Sequence, residues 1–133
     1  MKLRYLAVLA TTGAVLLFAN SAMARRSFPT TITHDGSVAL GTEGIYLDSG
    51  HVSSPNHRCE SFRVVTLIGH YPSGRTELLD IDLTSFFGGA WGTKADLTGT
   101  DRVKARARKS SFRRHGHRKV CQADTVVFQA PPP

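Results

Sequence analysis

Two cysteines, Cys59 and Cys121, stand in a chain that opens with an export address, and together these features constrain the fold most. Lys2 and Arg4 form a positive n-region, and Leu6 to Phe18 is an uncharged, apolar run. Ala22-Met23-Ala24 supplies the small residues at −3 and −1 that signal peptidase requires. The run is shorter than the ~20 residues needed to span a bilayer. The reading is a cleavable signal peptide over 1–24 and a secreted or periplasmic protein. No cysteine follows the run to accept a lipid, and no second hydrophobic segment occurs.

In an oxidising compartment two cysteines allow one intramolecular pairing, so a Cys59–Cys121 disulfide is predicted. The loop it closes would contribute about 4 kcal/mol by chain-entropy reasoning. That is a large share for a domain whose total stability is about 5–15 kcal/mol. No Cys-x-x-Cys spacing supports a redox or metal-binding use instead.

The remainder has the length of one small domain, over 25–129. Residues 130–133, Ala-Pro-Pro-Pro, end in three prolines that lack the N–H groups to pair in a sheet, and read as a disordered tail. Thr30 to Thr33 leans towards β structure, Asp35-Gly36 reads as a turn, and Val38 to Leu47 as a loose hairpin. Asp48 to His57, rich in Ser, Gly, Pro and Asn, reads as a loop. Cys59 to His70 carries the densest β-branched run, Val64-Val65-Thr66-Leu67-Ile68, apolar on both faces as in a central strand.

Tyr71 to Arg75 is a Pro/Gly turn, and Thr76 to Leu83 then alternates, with Leu79, Ile81 and Leu83 opposite Asp80 and Asp82. Ser85 to Asp96 is broken by glycines but holds Phe86, Phe87 and Trp91, expected to cap the core from a structured loop, the alternative being an exposed aromatic platform for a sugar or flat ligand. A last strand is expected over Lys119 to Gln129. The sum is an all-β domain: a small disulfide-closed β-sandwich or partly open barrel. Trp91 lies midway between the cysteines and position 119 is Lys, which departs from the immunoglobulin pattern.

Charge is distributed unevenly. Arg102 to Lys119 reads RVKARARKSSFRRHGHRK, nine Lys/Arg and no acid. Val103, Ala105 and Ala107 alternate with Arg102, Lys104, Arg106 and Arg108, which favours a strand; Ala, Arg and Lys propensity favours a helix with a poor apolar stripe. The period decides for the strand. Its cations then stand about 6.6–7 Å apart in a row, and Arg113, Arg114, Arg118 and Lys119 extend it around a turn near Arg113 to Gly116.

Such a row suits a repeating anion: an anionic glycan, a lipid head group or nucleic acid. Binding would be sequence-blind, salt-sensitive and of order 10⁻⁴–10⁻⁶ M by analogy with non-specific DNA binding. The bland alternative is a solvated face with Asp80 and Asp82 as cross-strand counter-charges. A reading from another class is a protein-interaction or inhibitor module using the aromatic loop Phe86–Trp91.

His115-x-His117 places two imidazoles on one side of a strand. Zinc needs three or four ligands, and neighbouring cations oppose it, so no metal and no cofactor are expected. Catalysis finds no Gly-x-Ser-x-Gly, His-Glu-x-x-His or phosphate loop. A set of Ser53, His51 and Asp48 is no more than any polar loop offers. The expectation is binding, not an enzyme.

Overall fold

The β-branched run around Val65 forms the strand on which the rest is hung. The computed structural model describes residues 26–132, so the predicted signal peptide lies outside the described residues. The strands are β1 (Ser27–Phe28), β2 (Thr31–Ala39), β3 (Ile45–Ser53), β4 (Val64–His70), β5 (Thr76–Leu83), β6 (Ala90–Asp96), β7 (Arg102–Ala107), β8 (Ser110–Arg114), β9 (His117–Cys121) and β10 (Asp124–Gln129). The only other regular element among the described residues is a single 3₁₀ turn, His57–Cys59, whose N-cap Asn56 accepts the Arg58 N–H through its side chain. The fold is all-β. No helix of the described residues is long and apolar enough to cross a membrane.

Three sheets form, ordered β10-β7-β4-β5, β2-β3-β6 and β1-β9-β8. The first two meet along two seams, where β5 runs beside β6 and β10 beside β2. Neither seam is a backbone ladder. Aspartates bridge them instead: Asp80 and Asp82 on β5 accept the N–H groups of Lys94 and Gly92, and Asp124 on β10 accepts that of Ile32. Each bond satisfies a donor that an open strand edge would otherwise present to water or to another chain.

Between the two sheets lies one core of Ile32, Val52, Val65, Leu67, Trp91, Ala95, Leu97, Val103, Ala105 and Ala107. Burying each Val or Leu side chain contributes about 1.5–3 kcal/mol. Gly50 opens the centre of β3, since a Cβ there would lie 1.9 Å from the Thr33 carbonyl oxygen and 2.7 Å from the Trp91 ring.

Several local expectations are corrected. Asp35-Gly36 is a bulge within β2, not a turn, because Asp35 has no partner between the pairs His34–Gly50 and Gly36–Ser49. Asp48 to Ser53 is strand, not loop; Asp48 is buried, facing His34 and Ser37 on β2. Ala90 to Asp96 is likewise a strand. The expected last strand is two, β9 and β10, broken at Gln122-Ala123.

The predicted disulfide joins Cys59, in the 3₁₀ turn, to Cys121 at the end of β9, with both residues fully buried. Beside it the Arg63 side chain is buried without a carboxylate. Its Nη1 donates to the Thr30 hydroxyl (3.1 Å) and the Cys59 carbonyl (2.7 Å). Its Nη2 donates to the carbonyls of Arg108 (2.6 Å) and Gln122 (2.9 Å). Burial pushes the guanidinium pKa below its ordinary value, and four oxygen acceptors offset part of that desolvation. The disulfide, Arg63 and the β8–β9 hairpin thus share one end of the domain. At the other end, Ala130 packs on the core and Tyr46 donates to the Pro132 carbonyl at 3.4 Å.

Candidate functional site

The segment after residue 101 is extended. On β7, Val103, Ala105 and Ala107 are buried while Arg102 and Arg106 are exposed and Lys104 half-buried. Ala105 and Ala107 suit the inward positions because β7 is flanked by β4 and β10 and packs tightly into the core. Arg108 follows the strand, exposed, with its N–H bonded to the Val64 carbonyl.

The acids of β5 are engaged elsewhere. Glu77 takes Arg75 at 3.3 Å and the Tyr71 hydroxyl at 3.1 Å. Asp80 and Asp82 are spent on the β6 edge at 2.9 and 2.8 Å, so they are not cross-strand counter-charges. The ion pairs among the described residues are His34–Asp48, His51–Asp35, His57–Glu60 and Arg75–Glu77. None includes Arg102, Lys104, Arg106, Arg108, Arg113, Arg114 or Arg118.

Beyond β7 the chain forms the β8–β9 hairpin. Its two-residue turn is His115-Gly116, with φ of 50° and 75°, the positive pair that a type I′ turn demands and that matches strand twist. The register places Arg113 directly across from Arg118, Arg114 across from His117, and Phe112 across from Lys119. Because His115 occupies the turn and His117 opens β9, the same-side spacing expected of a His-x-His strand does not apply. Phe112 stacks on Phe28 at 6.5 Å between centroids, and the Arg58 guanidinium lies 5.5 Å from the Phe112 ring centre. A cavity of about 330 Å³ is lined by these two rings with Arg114, His115, His117, Lys119 and Asn56.

The outer side of the four-stranded sheet carries a feature the sequence reading missed. On β5, Leu79 is an extra residue between the pairs Leu67–Asp80 and Ile68–Leu78. This bulge reverses the alternation beyond it, so Leu79 packs on the core while Ile81 and Leu83 are exposed, opposite to expectation. Across the outer side, Lys104 stands between Val127 and Ile68, Arg106 between Thr125 and Thr66, and Arg102 between Gln129 and His70. Next to β4 come Leu78, Ile81 and Leu83. No carboxylate occupies an outward position in these registers.

The aromatic loop divides. Trp91 is buried on β6, as core capping requires, whereas Phe86 and Phe87 are exposed. They cluster with Phe62, whose ring centre is 5.7 Å from that of Phe86. Phe62 has φ 52°, a left-handed backbone that non-glycine residues seldom adopt. Nothing in the local sequence pattern announces it.

The polar set Ser53, His51 and Asp48 does not converge. His51 Nδ1 meets Asp35 at 2.6 Å, Ser53 donates to the Thr31 carbonyl, and Asp48 turns inward. Asp48 instead meets Ser37 and His34, but the Ser37 hydroxyl and the Asp48 carboxylate both approach the same nitrogen, Nε2, of His34. A relay needs the two nitrogens of the ring on different partners. The His34 ring is stacked on Phe128 at 3.6 Å. A larger cleft, about 800 Å³, lies at the opposite end of the domain beside Ile45, Tyr46, Leu97 and Pro131. It has no cation in its lining. No protein-family model, no curated protein and no solved structure matches this chain.

Proposed function

We propose that this chain is an exported, partly open β-barrel domain that binds polyanions through the cations of β7 and the β8–β9 hairpin, without doing chemistry on them. The ligand class is phosphate or sulfate carried on a glycan, a lipid head group or nucleic acid. The observation that carries the reading is Arg113 standing directly opposite Arg118 with no acid paired to either. Like charges in that position destabilise a hairpin, and a bound anion would relieve the repulsion. Arg102, Lys104, Arg106 and Arg108 lead into the same segment, and Lys119 lies on the Phe112 side of the hairpin.

Retention on a heparin column in a rising salt gradient tests this. Binding through several cations requires late elution, and elution earlier with each cation removed. Elution in the void at low salt overturns it. A second reading, a protein-interaction or inhibitor module, is favoured by the exposure of Phe86 and Phe87; early elution from heparin would select it.

A further inference from the structure

We propose that the polyanion this chain meets is the surface of an anionic lipid bilayer, and that the outer side of the four-stranded sheet lies on it. The inference rests on the polyanion reading above and names its target. Two features of that side point to lipid. Its cations, Arg102, Lys104 and Arg106, share one face of the sheet with apolar residues: Lys104 stands in register between the exposed Val127 and the half-buried Ile68, and the β5 row of Ile81 and Leu83 lies on the far side of β4. Ile81 and Leu83 are 51% and 56% exposed, and no carboxylate occupies an outward register position of this sheet.

A glycan or a nucleic acid would engage the guanidinium groups and leave the leucine row wet. A bilayer offers phosphates at one depth and hydrocarbon just beneath, which fits cations and apolar side chains on one surface. Long basic side chains can lie along their apolar neighbours and keep their charged heads at the phosphate level. Beyond Val64 and Leu83, where β4 begins and β5 ends, the cluster of Phe62, Phe86 and Phe87 continues the apolar material. Phe87 is 80% exposed and Phe62 63%, the latter held out by a backbone conformation that costs energy in any non-glycine residue. Contiguous apolar exposure of this kind marks a contact surface more often than chance.

The test is co-sedimentation of the exported, disulfide-bonded protein with phosphatidylcholine vesicles, with and without phosphatidylglycerol. Binding is expected only with phosphatidylglycerol, and it should weaken with salt. The double variants Ile81→Ser/Leu83→Ser and Phe86→Ser/Phe87→Ser, all at exposed positions, should each lose about ten-fold or more in partitioning while heparin retention is unchanged. Variants that partition like the parent overturn the inference. Heparin retention without vesicle binding overturns the lipid target and leaves the polyanion reading standing, pointing to a glycan or an acidic protein. Loss of both overturns both. In the event that a double variant misfolds, the single change Phe87→Trp supplies an independent readout. Its emission should shift to the blue and be quenched by brominated lipid, and an unshifted, unquenched signal overturns the inference.

Discussion

The Asp82 carboxylate accepts the backbone N–H of Gly92 at 2.8 Å, and Asp80 repeats the contact with Lys94 at 2.9 Å. Two side chains two residues apart on β5 thus take the place of a backbone ladder along the β5–β6 seam. A hydrogen bond to a charged acceptor is worth about 1.5–3 kcal/mol, and solvent exposure brings each of these down to about 1 kcal/mol. Asp82→Ala should therefore lower stability by about 1 kcal/mol, and Asp80→Ala/Asp82→Ala by about 2, read as the urea midpoint. The double variant also frees the β6 edge, so it should self-associate on a sizing column. A double variant that stays monomeric with the parent's midpoint would show the seam to be held by packing alone.

The same aspartates show where the sequence was legible and where it was not. Alternation in Val103, Ala105 and Ala107 reports burial directly, because β7 runs without a bulge and its inward side meets a continuous core. The cysteine pairing was forced by there being two. Alternation in Leu79, Ile81 and Leu83 misleads, because the bulge at Leu79 arises from how β5 meets β4, a relation between strands that no window of β5 contains. Once the phase reverses, leucines face water and aspartates face the seam. Asp48 to Ser53 looked like a loop by composition. It is strand because Gly50 admits the Trp91 ring and Asp48 finds partners on β2, contacts supplied from far along the chain. The two-residue parallel pairing of β1 with β9 is likewise too short to leave a periodic signal.

Arg63 ties four chain segments to one guanidinium: Thr30 before β2, Cys59, Arg108 after β7, and Gln122 between β9 and β10. Removing it leaves several buried acceptors unpaired and a cavity beneath the disulfide. Arg63→Ala should cost about 3–5 kcal/mol. Arg63→Lys should recover only part of this, since one ammonium cannot reach all four acceptors in the plane that the guanidinium fork spans. Denaturant unfolding of the two variants checks the order. Equal losses for Ala and Lys would mean that the guanidinium fork carries the whole effect, since lysine keeps the charge and most of the volume.

The disulfide acts on the unfolded chain. Cys59 and Cys121 are 62 residues apart in sequence, and closing such a loop should contribute about 4 kcal/mol. For a domain of this size that corresponds to a fall in Tm of roughly 15–30 °C on reduction, measured by calorimetry with and without reductant. Because both sulfurs are fully buried, reduction in the folded state should be slow and should accelerate near the Tm. A reduced protein that melts within a few degrees of the oxidised form would mean that Arg63 and the core hold this end unaided.

Arg113 and Arg118 separate the needs of folding from those of binding. Facing each other across β8 and β9, they should repel by a few tenths of a kcal/mol up to about 1, on the scale of cross-strand pairs. Arg118→Ser removes the repulsion and should raise stability by that amount at low salt, with the gain shrinking as salt screens the parent pair. The same change should move elution from heparin to lower salt, because a phosphate or sulfate contact is lost. Arg118→Glu should go further on both counts, forming an opposite-charge pair with Arg113 while cancelling a second contact. A residue present only for solubility predicts no such opposition. Should both substitutions stabilise the hairpin yet leave heparin elution untouched, the arginine pair would have no part in anion binding.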